Sequence, residues 1–545
     1  MDLRSTDAVV VGAGFAGLYM LHRLRGLGLA TTVFETGAGV GGTWYWNRYP
    51  GARCDIDSLE YSYQFSEALQ QEWDWTERYA TQPEILRYAN HVAERFDLLR
   101  DIRFETRVVS ARFDDEILRW RIETDRGDVV SARWCILATG CLSSANLPEI
   151  PGRDAFAGRA CHTGRWPHDG VDFTGQRVGV IGTGSSAIQS IPLIAEQASR
   201  LFVFQRTPTY SVPAHNRPLD PETVREVKAD YRGFRARNAE QAFGFGSRLA
   251  RPPEGALALD ETARKRIYEE RWREGGLPFL STFSDLMLDP AANETAAEFI
   301  REKIRSLVRD PAVAERLLPT QVVGCKRLCV DTRYYATYNR ANVTLVDLRE
   351  EPIEAIDATG LATSARHYDL DAIVYATGFD AMTGALERID VRGRAGRPLR
   401  QKWSAGPRTY LGLATEGFPN LFLITGPGSP SVLSNMIPSI EQHVDWIADC
   451  IAHVRARGAA AIEATAEAED AWVDHVNAVG GFTLFPSCSS WYLGANVPGK
   501  PRVFMPYVGF PAYVAKCRDV VARGYEGFVL DRLGDGGPLA REIER

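Results

Sequence analysis

The sequence predicts an α/β fold of two Rossmann-like dinucleotide-binding domains with a helical insertion. Three features predict it. Residues 7–11 (DAVVV) are a short apolar strand that runs into Gly12-Ala13-Gly14-Phe15-Ala16-Gly17 and then an apolar-periodic helix to about residue 29. The pattern returns at residues 177–181, which lead through Gly182-Thr183-Gly184-Ser185-Ser186-Ala187-Ile188-Gln189 into another helix. After it, residues 213–317 become rich in Arg, Glu and Ala at helical spacing.

A length of 545 residues suits two to four domains, and 45% hydrophobic with 24% charged residues suits a chain with a substantial core. A net charge of -7 argues against a nucleic-acid or anionic-membrane surface. No apolar run reaches the roughly 18–20 residues that cross a bilayer. The chain enters its first strand almost at once, leaving no room for a signal peptide, so a cytoplasmic location is expected. Nine scattered cysteines fit reduced thiols better than a disulfide framework. A monomer acting on a small molecule, without a metal, is the expectation.

In the first glycine turn, Gly12 permits the tight turn, Gly14 lets backbone approach a pyrophosphate, and Gly17 lets helix and strand pack. The strand at residues 31–34 ends at Glu35, whose carboxylate suits ribose hydroxyls and repels a 2′-phosphate. FAD or NAD therefore fits this site better than NADP. The aromatic loop from Gly41 to Asp55 follows a nucleotide-binding strand and is expected to face ligand. Disulfide reductases share the opening motif but set a CxxxxC pair against their flavin. This region has only Cys54, which argues against dithiol chemistry. Residues 102–137 read as alternating short strands closed by Ala138-Thr139-Gly140.

Residues 141–167 read as the crossing into the second domain, with the Pro-rich 147–152 as linker. The second turn has the form GxGxxA. Its strand, residues 200–205, ends in Arg206-Thr207 with no acid. A guanidinium in place of a carboxylate suits the 2′-phosphate of NADPH. Opposite ribose chemistry at two sites implies FAD first and NADPH second. The apolar run at 276–287 suits either substrate contact or packing. The CxxxC at 325–329 could suggest redox or metal chemistry, but its spacing and the lack of a nearby His disfavour both for this pair.

Two further blocks are more specific. Phe156, Gly158, His162, Trp166 and Pro167 stand at the spacing FxGxxxHxxxWP, and Lys326-Arg327 precedes Asp331, Tyr334-Tyr335, Asn339-Arg340 and Asn342-Val343. With the WNRYPGxxxD run at 46–55, the chain resembles type I Baeyer–Villiger monooxygenases over nearly its full length. Those flavoproteins use NADPH and O2 to insert oxygen beside a ketone carbonyl, giving an ester or lactone. The resemblance implies that Thr43, Trp44, Tyr45, Trp46, Asp55, Tyr61 and Met436 lie along FAD with the first turn and Glu35. It implies that Arg53, Cys54, Asp55 and Arg327 also approach NADPH, with Lys326 at the 2′-phosphate and Trp491 at the nicotinamide, and Thr207 joins Arg206 at the end of the second cradle. Arg327, partnered by Asp55, is implied to stabilise a C4a-peroxyflavin and the developing oxyanion.

The implied domains are FAD-binding 1–147 and 376–545, NADPH-binding 148–215 and 318–375, and a helical insertion at 216–317, with a mobile loop at about 486–504. In length, 406–436 resembles the phenylacetone and steroid types of the family, which implies a bulky or aryl ketone as substrate. Residues 504–513 (FMPYVGFPAY) depart from the family's YVGG form. The alternatives are a flavin monooxygenase acting on nitrogen or sulfur, and a non-catalytic dinucleotide-binding redox protein.

Overall fold

The computed structural model describes residues 4–250, 252, 254–532 and 540–543. Its first strand, Arg4–Val11, lies in an eight-stranded sheet between Thr31–Phe34 and Val129–Leu137, parallel to both. Val9 and Val10 are fully buried, as a strand covered on both faces requires. Two antiparallel strands, Val108–Asp114 and Arg119–Thr124, extend the sheet. The chain returns to it late, through Asp390–Arg392 and Leu421–Leu423.

The second sheet is wholly parallel, in the order Val343–Asp347, Arg200–Gln205, Arg177–Ile181, Ala372–Tyr375, Arg159–His162. Residues 141–167 were expected to be only a crossing. Instead, Arg159–His162 is an edge strand of this sheet, with Tyr375 opposite His162. Arg159 and Ala160 are exposed, so the segment has no apolar run to mark it as a strand.

The insertion carries the helices Pro221–Ala229, Tyr231–Ala239, Glu261–Glu274, Pro290–Leu307 and Pro311–Arg316. Asp220, Asp230, Asp260, Asp289 and Asp310 cap all five through side-chain oxygens that accept first-turn N–H groups. Tyr268, Phe279 and Phe299 stack at its centre, with ring centroids 5.3–6.1 Å apart. The long helix Met436–Ala456 packs on the first helix, Phe15–Gly26, where Tyr19 donates to Asp445 at 2.7 Å.

The expectation of reduced thiols is corrected at one pair. Cys325 and Cys488, 163 residues apart, form a disulfide with Cα atoms 6.0 Å apart. Local spacing cannot disclose a pairing between such distant loops. The other seven cysteines are free and buried. Among the described residues no helix is long and apolar enough to cross a membrane, and no cluster of His, Cys, Asp and Glu could hold a metal.

Candidate functional site

Two glycine turns face the interior from the ends of the two sheets. Gly12 and Gly182 hold left-handed φ values of 108° and 112°. A Cβ at Gly12 would lie 2.5 Å from the Ala138 carbonyl oxygen, and one at Gly182 would lie 2.5 Å from that of Ala376. Ala138 and Ala376 each open an Ala-Thr-Gly at the end of a neighbouring strand. The two cradles are thus near-duplicates in backbone, each leaving room for a phosphate group at a helix N-terminus. At the third motif position they diverge: a Cβ at Gly17 would overlap the Gly12 carbonyl oxygen, whereas Ala187 sits fully buried in the other cradle.

In the first cradle Glu35 is 6% exposed. One carboxylate oxygen accepts the Ala13 N–H at 2.7 Å and the other the Gly37 N–H at 2.7 Å. Burial pushes the Glu35 pKa up, and these N–H groups pull it back. Besides suiting a ribose, Glu35 therefore ties the glycine turn to the end of its own strand. Gly42 sits against Gly14 and caps the short helix Thr43–Trp46. Trp44 donates from Nε1 to the Tyr61 hydroxyl at 3.1 Å, and the Ala38 N–H donates to the Tyr45 hydroxyl at 3.0 Å. Phe15 and Ala16 are buried in the first helix, and Met436 begins the long helix half-buried.

In the second cradle Thr183 donates to the Thr207 carbonyl at 2.9 Å, fixing the strand end that carries Arg206. Ser186 pairs with Thr163 at 3.0 Å and Ser185 with Cys329 at 3.3 Å, while Ile188 is fully buried. Gln189 joins the two cradles: it accepts from the Tyr49 hydroxyl at 2.8 Å and donates to the Arg53 carbonyl at 3.1 Å. Arg206 is exposed and Lys326 half-buried. Burial pushes the Lys326 pKa down, and Arg206 beside it pushes the same way. Neither cation has an acidic partner among the described residues, so together they form a positive notch that suits an anion.

Arg327 and Asp55, 272 residues apart, meet between the cradles. Arg327 donates from Nε at 2.7 Å and from one terminal nitrogen at 2.9 Å to the two Asp55 oxygens. Its other terminal nitrogen donates to the Val432 carbonyl at 2.7 Å. The Arg327 side chain keeps 24% of its exposure, so the fork is held yet reachable. Burial opposes its charge, but the Asp55 carboxylate outweighs burial and holds the pKa well above the ordinary arginine value. Neighbouring Cys54 is unsuited to thiolate chemistry, because burial pushes its thiol well up.

Tyr492 faces Arg327. It is 2% exposed, and burial pushes its phenol up to about 12 against the pull of Arg327. Trp491 lies on it with ring centroids 4.3 Å apart. Apolar side chains gather around this end, with Val432, Leu433, Phe504 and Met505 joined by Phe243 and Met287 from the insertion. Of the 276–287 run, Leu277, Phe279, Phe283 and Leu286 are buried in the main core, and Met287 reaches this cluster. Gly509 has a left-handed φ of 104°, and the buried Phe510 donates its N–H to the Ala242 carbonyl at 2.9 Å. The altered 504–513 stretch thereby closes against the insertion.

The Phe156–Pro167 block lies beside the cradles. Phe156 crowds Gly158, where a Cβ would come within 2.5 Å of the Asp371 carbonyl. Trp166 is buried and donates its N–H to the Trp46 carbonyl at 3.4 Å, and Pro167 follows half-buried. His162 accepts the Gly164 N–H at Nδ1, at 2.9 Å, which leaves the proton of the neutral ring on Nε2. Nε2 is buried without a close partner, and the Gly378 and Asn146 carbonyls are the groups that favour its charge. Burial first, then Arg165, brings the pKa down to about 4. Phe243 and the role of Tyr492 were missed from the sequence, and of the two only Tyr492, beside Trp491, had a local signal; Met287 closes the 276–287 run that the sequence singled out.

Comparison with known proteins places this geometry in context. Residues 9–237 match the family model described as pyridine nucleotide-disulphide oxidoreductase. A phenazine N-monooxygenase from Lysobacter antibioticus is 43% identical over 536 residues, covering 97% of this chain and 98% of that protein. A Baeyer–Villiger monooxygenase from Pseudooceanicola batsensis is 42% identical over 536 residues, covering 97% of each. An oxidised steroid monooxygenase solved with NADP is 57% identical, covers 96% of this chain and 99% of its own, and superposes with a TM-score of 0.92.

Proposed function

Because the chain belongs to the type I Baeyer–Villiger monooxygenases, we propose that it converts a ketone to an ester or lactone at the expense of NADPH and O2. The observation that carries this reading is the Asp55-clamped Arg327, set between one cradle that bears a carboxylate and another that bears a cationic notch. FAD fits the first cradle, where Gly12 lies too close to the Ala138 carbonyl for any side chain and Gly14 sits against Gly42, so that the turn carries bare backbone. NADPH fits the second, where Arg206 and Lys326 await a 2′-phosphate. When bound, the flavin supplies two-electron transfer from NADPH and the activation of O2.

The protein's own residues do the rest. Gly12, Gly14 and Gly17 admit the FAD pyrophosphate, Glu35 takes the ribose, and Thr43–Trp46, Tyr61 and Met436 line the flavin. Gly182–Gln189 and Thr207 cradle NADPH, with Arg53, Cys54 and Trp491 toward its nicotinamide end. Asp55 fixes the plane of Arg327, so the guanidinium donates to the ketone oxygen as negative charge develops there. Its charge persists at any physiological pH, which a lysine could match, but its fixed fork a lysine could not. Trp491 and Tyr492 exclude water from that charge, and His162 sets how the two domains meet.

FAD-binding parts at 1–147 and 376–545, NADPH-binding parts at 148–215 and 318–375, the insertion at 216–317 and a mobile loop at about 486–504 complete the proposed organisation. The enzyme acts as a cytoplasmic monomer on bulky or aryl ketones, for which the steroid monooxygenase likeness speaks. Oxygen transfer to a ring nitrogen is the second reading, favoured by the phenazine N-monooxygenase likeness. Purified enzyme incubated with NADPH and a panel of cyclic, aryl and steroid ketones plus a phenazine tests both. An ester of ketone mass plus one oxygen supports the first reading, and an N-oxide alone supports the second. NADPH consumption that no panel member stimulates overturns both.

A further inference from the structure

We propose that Cys325 and Cys488 are a peroxide-sensitive thiol pair whose disulfide latches the segment bearing Trp491 and Tyr492 onto the segment bearing Lys326 and Arg327. The bond links residues 163 apart in sequence. Cys325 immediately precedes Lys326-Arg327, and Cys488 stands three residues before Trp491. Three elements converge there. The Leu484 N–H donates to the Met287 carbonyl of the insertion at 2.8 Å, and a side chain at Gly324 would meet the Met287 sulfur at 2.8 Å. The far end of the same loop has separate, non-covalent anchors. Asn496 donates to the Phe379 carbonyl at 2.6 Å, and Lys500 donates to Asp380 at 2.6 Å. The disulfide therefore fixes the near end of a loop whose far end is already docked, with Tyr492 pressed toward Arg327 between them.

The pair differs from the other cysteines. The seven free thiols are all buried, and burial raises the pKa of each, which leaves them inert toward oxidants. Cys488 is half-exposed and Cys325 is fully buried, the arrangement of an attacking and a resolving cysteine. The oxidant is hydrogen peroxide. The Cys488 sulfur attacks one peroxide oxygen, the O–O bond breaks, and a sulfenic acid and one water form. The Cys325 sulfur then attacks the Cys488 sulfur, the S–O bond breaks, and a second water leaves. Two thiols and one H2O2 become one disulfide and two waters, the thiols losing two electrons and the peroxide gaining them. An external dithiol reverses the step by exchange.

For the source of the peroxide and for what the loop covers, this inference rests on the monooxygenase reading: turnover that fails to deliver oxygen releases peroxide within reach of Cys488. Closure then slows release of the nicotinamide cofactor and throttles an enzyme that has run short of substrate.

The test uses the flavin-loaded full-length enzyme, reduced with dithiothreitol and desalted, then treated with hydrogen peroxide. Alkylation after denaturation should show free thiols falling from nine to the seven outside the pair, with a 325–488 cross-linked peptide. NADP+ dissociation should be on the order of tenfold slower in the oxidised form, as expected when a loop end is tethered. Cys488→Ser and Cys325→Ser should dissociate NADP+ at the reduced rate with or without peroxide. A disulfide that forms while NADP+ leaves at the reduced rate overturns the latch, as does peroxide that oxidises other cysteines first. Flavin content and NADPH oxidation of the reduced enzyme, read on the same sample, isolate failure of the monooxygenase reading. The thiol count judges the pair in either event.

Discussion

The two glycine cradles share a backbone and differ in charge. Gly12 and Gly182 have φ values within a few degrees, and each backs onto the first residue of an Ala-Thr-Gly strand end. Yet one cradle ends in the buried carboxylate of Glu35 and the other in the exposed guanidinium of Arg206 beside Lys326. Steric demands common to any pyrophosphate fix the backbone. The charge is set at the ribose end, where a carboxylate stands in one cradle and two cations stand in the other. Two cofactors of similar size can therefore be sorted onto one architecture, with the paired Arg327 and Asp55 lying between the two cradles.

The same substitution in each cradle gives the largest expected contrast. Gly12→Ala forces a Cβ onto the Ala138 carbonyl at a left-handed φ, a strain of about 1–3 kcal/mol before any ligand is considered. The purified variant should be colourless. Gly182→Ala should stay yellow and lose NADPH binding instead, as flavin absorbance and NADPH titration will show. Two colourless proteins would mean that the cradles are not independent.

Next in size is Arg327→Ala. Loss of one preorganised donor should lower ester formation by about 10²–10³-fold while FAD and NADPH still bind. Arg327→Lys should recover little, since the bidentate contact to Asp55 is lost. Ester formation at the normal rate in either variant would remove Arg327 from the mechanism.

At the second ribose, Arg206→Ala and Lys326→Ala should each raise the KM for NADPH by roughly tenfold, the scale of one charge-assisted hydrogen bond. The KM for NADH should barely move. An equal rise for both cofactors would assign these cations to general packing.

The smallest effect concerns the edge strand of the second sheet. His162 has its pKa lowered from 6.5 to about 4 in the fold, so between those values the unfolded chain binds more protons than the native one. Its contribution to stability is complete above pH 6.5 and is lost as pH falls toward about 4. Buried His443, lowered to about 3, acts in the same direction. His162→Asn should make the fall in melting temperature between about pH 7 and about pH 5 shallower without stripping FAD. A steeper fall would show that His162 is charged in the native state.

How much of this was legible in the sequence depended on range. The strands at Thr31–Phe34, Arg177–Ile181 and Arg200–Gln205 lie where the apolar runs placed them, since burial on both faces leaves a local trace. The glycine turns and their opposite charges were legible too, because sterics and ribose chemistry act within one βαβ unit. Arg159–His162 was missed as a strand, because half of it faces solvent and only its pairing with Ala372–Tyr375 defines it. The Cys325–Cys488 bond and the Tyr492–Arg327 approach join loops more than 160 residues apart. Nothing local to those residues requires either contact; the fold alone creates them.

The two cradles are proposed to serve one oxygen transfer at Arg327. Turnover of a bulky aryl ketone under isotopically labelled dioxygen tests it most directly. One labelled oxygen should enter the ester for each NADPH consumed. An unlabelled ester, or NADPH consumed entirely to peroxide across the ketone and phenazine panel, would contradict it.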